Sequence, residues 1–89
     1  MKKSIVIIEK DSLFNQSAAL VVSAQAGSTS LLQRKLKLGY MRAGRIMSQL
    51  EQAGIVGEFN NAAPRKVLVK NEDDLKPILE NVESDTFAD

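Results

Sequence analysis

The sequence predicts an α+β winged helix-turn-helix: a three-helix core with a β-hairpin wing, an extra N-terminal strand and a short C-terminal helix. The chain has 89 residues, which is enough for one domain and one core. Only the Leu38-Gly39 turn separates two amphipathic segments, as in a helix-turn-helix. After Gly54 the apolar pattern changes from helical spacing to alternation, which is typical of strands.

The N-terminal part predicts a strand followed by a helix. Lys3–Lys10 is dominated by β-branched residues, which favour extended structure. Asp11 or Ser12 provides an N-cap oxygen for a helix that runs to about Ala26. Gly27 is then a natural stop.

The second and third helices are predicted from their caps. Ser30 begins the second helix, and Gln33 three residues later completes a capping box. This helix ends by Gly39. The third helix runs from Tyr40 to Ala53 and is closed by Gly54.

A two-stranded wing is predicted next. Ile55–Gly57 is one strand, Glu58–Pro64 a loop, and Arg65–Lys70 the returning strand. Ile5–Ile8 could add to this sheet or pair with a second copy of the chain across an exposed edge.

The C-terminal part predicts a short acidic helix and a tail. The helix spans Glu72 to about Glu80, Pro77 kinks or shortens it, and the chain frays from Asn81 onward. The predicted organisation is an N-terminal extension at 1–10, a winged-helix domain at 11–70, and the acidic helix and tail at 71–89.

Composition excludes most enzyme chemistry. The chain has no Cys and no His, so it lacks thiol nucleophiles, zinc-binding thiolates and the commonest general base. We therefore predict no catalytic residue, no metal and no cofactor. The longest apolar run at the start, Ile5–Ile8, is far shorter than the roughly 18 residues of a membrane span, and a cytoplasmic location is expected.

The net charge of +1 conceals a strong asymmetry along the chain. Residues 1–30 carry +1, residues 31–70 carry +6, and residues 71–89 carry −6. A basic middle with an acidic tail favours a surface that binds a polyanion. The alternative is that the charges only solvate the surface.

The third helix has two different faces. One face is apolar, and the other carries Arg, Gln, Ser and Met, with Glu51 as the single acid of the helix. Arginine forks and amides are the groups that read base edges in the major groove. At the wing, Arg65 and Lys66 either contact phosphate or protect an edge strand by their charge. The candidate DNA-binding residues are Arg34, Lys35, Met41, Arg42, Arg45, Ser48, Gln49, Arg65 and Lys66.

The chain resembles the gamma domain of FtsK/SpoIIIE-type DNA translocases. The resemblance rests on Asp11–Phe14, Ser28–Lys35, Gly39–Arg45, Gly54–Gly57 and Pro64–Val69, which occur in the family's order and together span about two thirds of the chain. It implies a winged helix at the end of a hexameric motor that recognises G-rich orienting sequences and activates a tyrosine recombinase. By resemblance, Arg42 and Arg45 read or grip DNA, and Arg65 and Lys66 support them from the wing.

The chain also departs from that family. Met41 stands where the family usually has a base-reading Asn, and the loop 58–63 lacks the usual Gly and Lys. No GxxxxGK[ST] phosphate loop is present, so the chain carries no motor of its own. It is either a fragment or a free-standing gamma-like domain, and the start Met1-Lys2-Lys3 favours the second.

Three functions outside enzyme chemistry follow from these patterns. The first is recognition of duplex DNA during chromosome or mobile-element translocation and segregation. The second is a small winged-helix transcriptional regulator, which would form a two-fold dimer on its operator. The third is a protein-binding module whose arginine face docks on a recombinase.

Overall fold

The computed structural model describes residues 6–59 and 64–84. The predictions for Lys3–Ile5, for the centre of the wing loop at 60–63 and for the tail at 85–89 lie outside the described residues. The elements in chain order are β1 (Val6–Ile8), α1 (Phe14–Ala24), α2 (Thr29–Leu36), α3 (Tyr40–Gln52), α4 (Glu72–Glu80) and β2 (Val82–Ser84).

Asp11 prepares the start of α1 without capping it directly. Its Oδ1 accepts a hydrogen bond from the Leu13 N–H at 2.8 Å, and its carbonyl oxygen accepts one from the Phe14 N–H at 2.9 Å. The N-cap position itself is Leu13, which provides no side-chain cap. The prediction that Asp11 or Ser12 is the N-cap is therefore wrong by one to two residues, because Asp11 forms a turn before the helix.

The C-terminus of α1 is held by Gln25 and not by Gly27. Gln25 adopts the left-handed conformation at φ 52°, and its Nε2 donates to the carbonyl oxygens of Val22 at 2.8 Å and Val69 at 2.9 Å. These bonds satisfy a free carbonyl at the helix end and tie it to the returning chain. The helix consequently stops at Ala24, before the predicted end at Ala26.

The predicted capping box at Ser30 is wrong. Ser28 is the N-cap of α2, and its Oγ accepts a hydrogen bond from the Leu31 N–H at 3.2 Å. The helix therefore begins one residue earlier, at Thr29. Ser28 and Ser30 both precede the apolar residues of α2 and could each provide a cap. Ser28 is the cap because its backbone is extended, as an N-cap residue requires.

The two predicted wing segments pair in antiparallel fashion, but only through isolated bridges. Val56 pairs with Val67, and the Gly57 N–H donates to the Lys66 carbonyl oxygen at 2.8 Å. A third segment, which the sequence did not predict, joins them through Gly27, whose N–H and carbonyl oxygen both bond to the Arg65 backbone. A Cβ at Gly27 would collide with the carbonyl oxygen of Arg65, so glycine permits this close approach.

The two ends of the described chain form a separate parallel pair. Val6 lies opposite Val82 and Ile8 lies opposite Ser84. The predicted fraying from Asn81 onward is therefore wrong over Val82–Ser84. The sequence leaves Ile5–Ile8 open between the wing sheet and a second copy, and its described part pairs with β2 and not with the wing segments.

The acidic helix α4 follows the predicted bounds. The side chain of Asn71 accepts a hydrogen bond from the Asp74 N–H at 2.8 Å, and three acids in the first turn complement the helix dipole. Pro77 lies inside the helix and does not end it. Within residues 6–59 and 64–84, no helix is both long and apolar enough to cross a membrane.

A single hydrophobic core connects these elements. The spacing of apolar residues in the sequence predicts seven residues for this core, and five of them are fully buried, namely Val21, Leu32, Ala43, Ile46 and Leu50. The other two, Leu36 and Val67, are partly buried against the core. The core also takes in Ile8, Leu75 and Val82, so α4 and the strand pair pack on the helical part.

Candidate nucleic-acid interface

The exposed face of α3 holds most of the candidate residues. The burial of Ala43, Ile46 and Leu50 turns the opposite side of the helix towards solvent. On that side Met41 is 76% exposed and Arg45 is also exposed. A shallow groove runs along this face and is lined by Tyr40, Met41, Gly44, Arg45 and Ser48.

Tyr40 and Gly44 belong to this surface, although they were not among the predicted site residues. Tyr40 is 66% exposed, and Gly44 lies one turn after it. The spacing of four residues was available in the sequence and places both on one side of a helix. Tyr40 is the only tyrosine of the chain, and its exposure is a signal that appears only in the structure.

Gln49 does not lie on the exposed face, and the prediction that it does is wrong. Its side chain is 5% exposed, and its Oε1 accepts a hydrogen bond from the Asp11 N–H at 2.9 Å. On the helix Gln49 lies at the border between the polar and apolar sides, where the segment before α1 covers it. Its amide oxygen is therefore used inside the domain.

Arg42 is paired within the chain. Its Nε donates to Asp11 Oδ2 at 3.0 Å and its Nη2 donates to Asp11 Oδ1 at 2.9 Å, which is the bidentate geometry of a strong ion pair. The hydrogen bond from Arg42 holds the pKa of Asp11 below its ordinary value, and the same bond raises the pKa of Arg42. The carboxylate thus compensates the charge that Arg42 brings to the surface.

The Asp11–Arg42 pair predicts a pH dependence of stability. The pKa of Asp11 is lowered from 3.8 by folding, so the ionised carboxylate favours the folded state. This stabilisation is fully present above that unfolded pKa and is lost as the pH falls through the lower folded pKa. Asp11→Asn keeps the oxygen that accepts from Leu13, but it is expected to lower the free energy of unfolding at pH 7.

The measurement is urea unfolding of both proteins, followed by circular dichroism, between about pH 7 and pH 2. The difference in stability between the two proteins should shrink as the pH falls below about 4, because the unfolded chain then binds a proton at Asp11, and it should vanish once the native carboxylate is protonated as well. A difference that stays constant across this range would contradict the assigned role of the ionised carboxylate.

Arg65 is also paired. Its Nη1 donates to Glu51 Oε1 at 2.7 Å, and its guanidinium lies 5.7 Å from the centre of the Phe59 ring. The neighbouring Lys66 is exposed. The pair ties the wing to the last turn of α3, so Arg65 has a structural partner while Lys66 faces solvent.

The remaining basic candidates are exposed. Arg34 and Lys35 lie on the last turn of α2, and Arg45 lies on α3. Over residues 6–59 and 64–84, ion pairs engage Arg42 and Arg65 and none of these three. The structure thus divides the predicted basic surface into two compensated arginines and a set of uncompensated cations.

The family to which the chain belongs follows from comparison with known proteins. The sequence model of the Ftsk gamma domain matches residues 8–70. The chain belongs to the FtsK gamma domain family. The resemblance predicted from Asp11–Val69 is confirmed, and the matched region contains every candidate site residue. Residues 71–84 lie outside it, although α4 packs on α1 of the gamma domain.

Three relatives of this gamma domain carry the name DNA translocase FtsK. The protein of Chlorobaculum tepidum is 55% identical over 74 residues, which is 83% of this chain and 9% of the relative. The protein of Clostridium tetani is 45% identical over 73% of the chain and 9% of the relative. That of Chlamydia trachomatis is 53% identical over 72% of the chain and 8% of the relative. The chain thus spans less than a tenth of these relatives.

Proposed function

We propose that this gamma domain is a winged helix that binds duplex DNA through the exposed face of α3, in DNA translocation or segregation and without motor activity of its own. The observation that carries the proposal is the composition of that face. Met41, Arg45 and Ser48 stand exposed along it, and the first acid of the helix is Glu51 in its last turn. A positive, acid-free helix face matches the negative potential of the DNA major groove.

The elements next to α3 also support binding of DNA at its exposed face. α2 packs against α3 and brings Arg34 and Lys35 to its own C-terminal turn. The antiparallel bridge between Val56 and Val67 supports the interpretation of this segment as a short wing, which carries Lys66. Cations on the elements next to a recognition helix are usual contacts to phosphate, which set position but do not read sequence. Lys35 is the least favourably placed of these cations, because it lines a depression with residues of α1 and with Glu72.

The partners of the domain are proposed from its relatives. These relatives are named DNA translocase FtsK, so we place this domain beside a translocase motor that it serves by binding DNA. A tyrosine recombinase is a second partner implied by the family resemblance. A transcriptional regulator and a module that binds only protein are the competing functions.

The test is selection of bound duplexes from a random pool, followed by titration of the selected and unselected duplexes at several salt concentrations. Binding with a steep salt dependence supports the proposal, because each phosphate contact releases counterions. Failure to retain any duplex, together with capture of a recombinase, would favour the protein-binding module. A two-fold symmetric site bound by a dimer would favour the regulator.

Met41→Asn is expected to raise sequence discrimination. A thioether offers a weak acceptor and apolar contact, whereas an amide forms a bidentate pair with adenine that is worth about 1–3 kcal/mol. The ratio of affinities for a G-rich orienting duplex and a random duplex should be small in the natural chain. It should rise by about tenfold or more in the variant.

Titration of both proteins against both duplexes at one salt concentration measures this ratio. Strong discrimination by the natural protein, with no gain in the variant, would contradict the prediction.

A further inference from the structure

The groove on α3 has an apolar part that the proposed phosphate contacts do not use. Tyr40 and Met41 form one end of it, Gly44 forms its middle, and Arg45 and Ser48 form the other end. Tyr40 and Met41 are two of the four large apolar residues that are exposed among the described residues. These two adjacent side chains are free to contact an apolar group of a partner.

Gly44 is unusual in its position. It lies in the interior of α3, where glycine is a poor helix former compared with alanine. Its backbone does not need glycine, because Gly54 is the only described glycine with a positive φ. A Cβ at Gly44 would meet nothing within 4 Å among the described residues beyond its own helix backbone. Neither helix geometry nor packing among residues 6–59 and 64–84 therefore explains why position 44 has no side chain.

The missing side chain leaves room for an outside group to approach α3 closely. The exposed Tyr40 and Met41 line the groove together with Gly44, so the group that fits best beside Gly44 is small and apolar. Arg45 beside it requires that the partner also carry acceptors or negative charge. In the major groove of DNA, the C5-methyl group of thymine is the one apolar group on the base edges, and acceptors and phosphates surround it.

We infer that the groove formed by Tyr40, Met41 and Gly44 receives the C5-methyl group of a thymine in the major groove. The inference rests on the proposed binding of duplex DNA and names what this part of α3 reads. Met41 covers the methyl group, Gly44 lets it approach the helix, and Arg45 contacts a neighbouring phosphate. Thymine at this position is thereby preferred to bases that present no methyl group.

The test compares a thymine-containing duplex with the same duplex in which deoxyuridine replaces every thymine. Deoxyuridine pairs identically and lacks only the methyl group, so the comparison isolates the apolar contact. One buried methyl corresponds to about a fourfold change in Kd. The natural protein should therefore bind the thymine duplex about fourfold or more tightly, measured by fluorescence anisotropy at one salt concentration on a duplex taken from the random-pool selection.

Two variants and a control separate the methyl contact from general effects of deoxyuridine on duplex shape. Met41→Asn removes the apolar wall, and Gly44→Val fills the groove, so in both the preference for thymine should fall towards one. Phe59→Ala removes another exposed apolar side chain, one that does not line the groove, and should keep the preference. Circular dichroism checks that each variant is folded.

The outcomes are distinct. Equal affinity of the natural protein for both duplexes would overturn the inference and leave the proposed function standing. A preference that persists in Met41→Asn and Gly44→Val would also overturn it, because the effect would then come from duplex shape. If the natural protein binds no duplex at all, the proposed function is overturned, and the inference with it.

Discussion

Leu50→Ala is expected to lower the free energy of unfolding by about 2–5 kcal/mol, the range for a well-packed core leucine. Leu50 is 0% exposed and lies on the buried face of α3, opposite Met41 and Arg45. The substitution removes apolar contacts and leaves a cavity that α1 and α2 can fill only in part. Urea unfolding followed by circular dichroism measures the loss, since the chain has no tryptophan to report by fluorescence.

Leu68→Ala is the matched control, because it makes the same chemical change at a residue that is 53% exposed. Its effect should stay within about 0.5 kcal/mol. Should Leu50→Ala leave too little folded protein to measure, Ile46→Val removes one methylene from the same face and should cost about 0.5–1.5 kcal/mol. An effect of Leu50→Ala within the range of the control would mean that the two faces of α3 are reversed.

Arg45→Glu is expected to weaken binding to all duplexes by at least about tenfold, which corresponds to about 1.4 kcal/mol. Arg45 is exposed on the acid-free face of α3 and, unlike Arg42, forms no ion pair within the described residues. The variant loses one phosphate contact and adds a repelled charge. The neutral variant Arg45→Gln should lower the salt slope by about one, since one fewer counterion is released.

The matched control is Lys76→Glu, which changes the net charge by the same amount. Lys76 is exposed on α4, which packs on α1 and not on α3. Its effect on affinity should be small and non-specific, because only the overall charge changes. Equal losses in Arg45→Glu and Lys76→Glu would contradict the proposed interface, and an unchanged salt slope in Arg45→Gln would favour a protein partner.

The sequence predicts that Arg42 and Arg45 are equivalent DNA contacts, and the structure shows a difference between them. Counted as a free cation, Arg42 was expected to be equivalent to Arg45. Its ion pair with Asp11 spans 31 positions in the chain, so no local pattern reveals it. Charge reversal at Arg42 would break this pair as well as any DNA contact, and Arg45 is therefore the cleaner test of the interface.

The sequence by itself determined the features that depend on local spacing. The opposed faces of α3, the short turn before Tyr40 and each of the family motifs between Asp11 and Val69 follow from residues that are close together in the chain. Helical periodicity places Ala43, Ile46 and Leu50 on one side whatever the rest of the chain does. For this reason the predicted core centre and most of the candidate surface are found where they were expected.

Only the tertiary structure decided which polar groups face inward and how the chain ends are joined. Gln49 lies at the border of a helix face, and the Asp11 N–H, 38 positions away, draws its amide oxygen inside. The pairing of Val6 with Val82 likewise joins segments at opposite ends of the described chain. Such contacts depend on which backbone groups need a partner after the helices pack, and a pattern read along the chain does not contain that information.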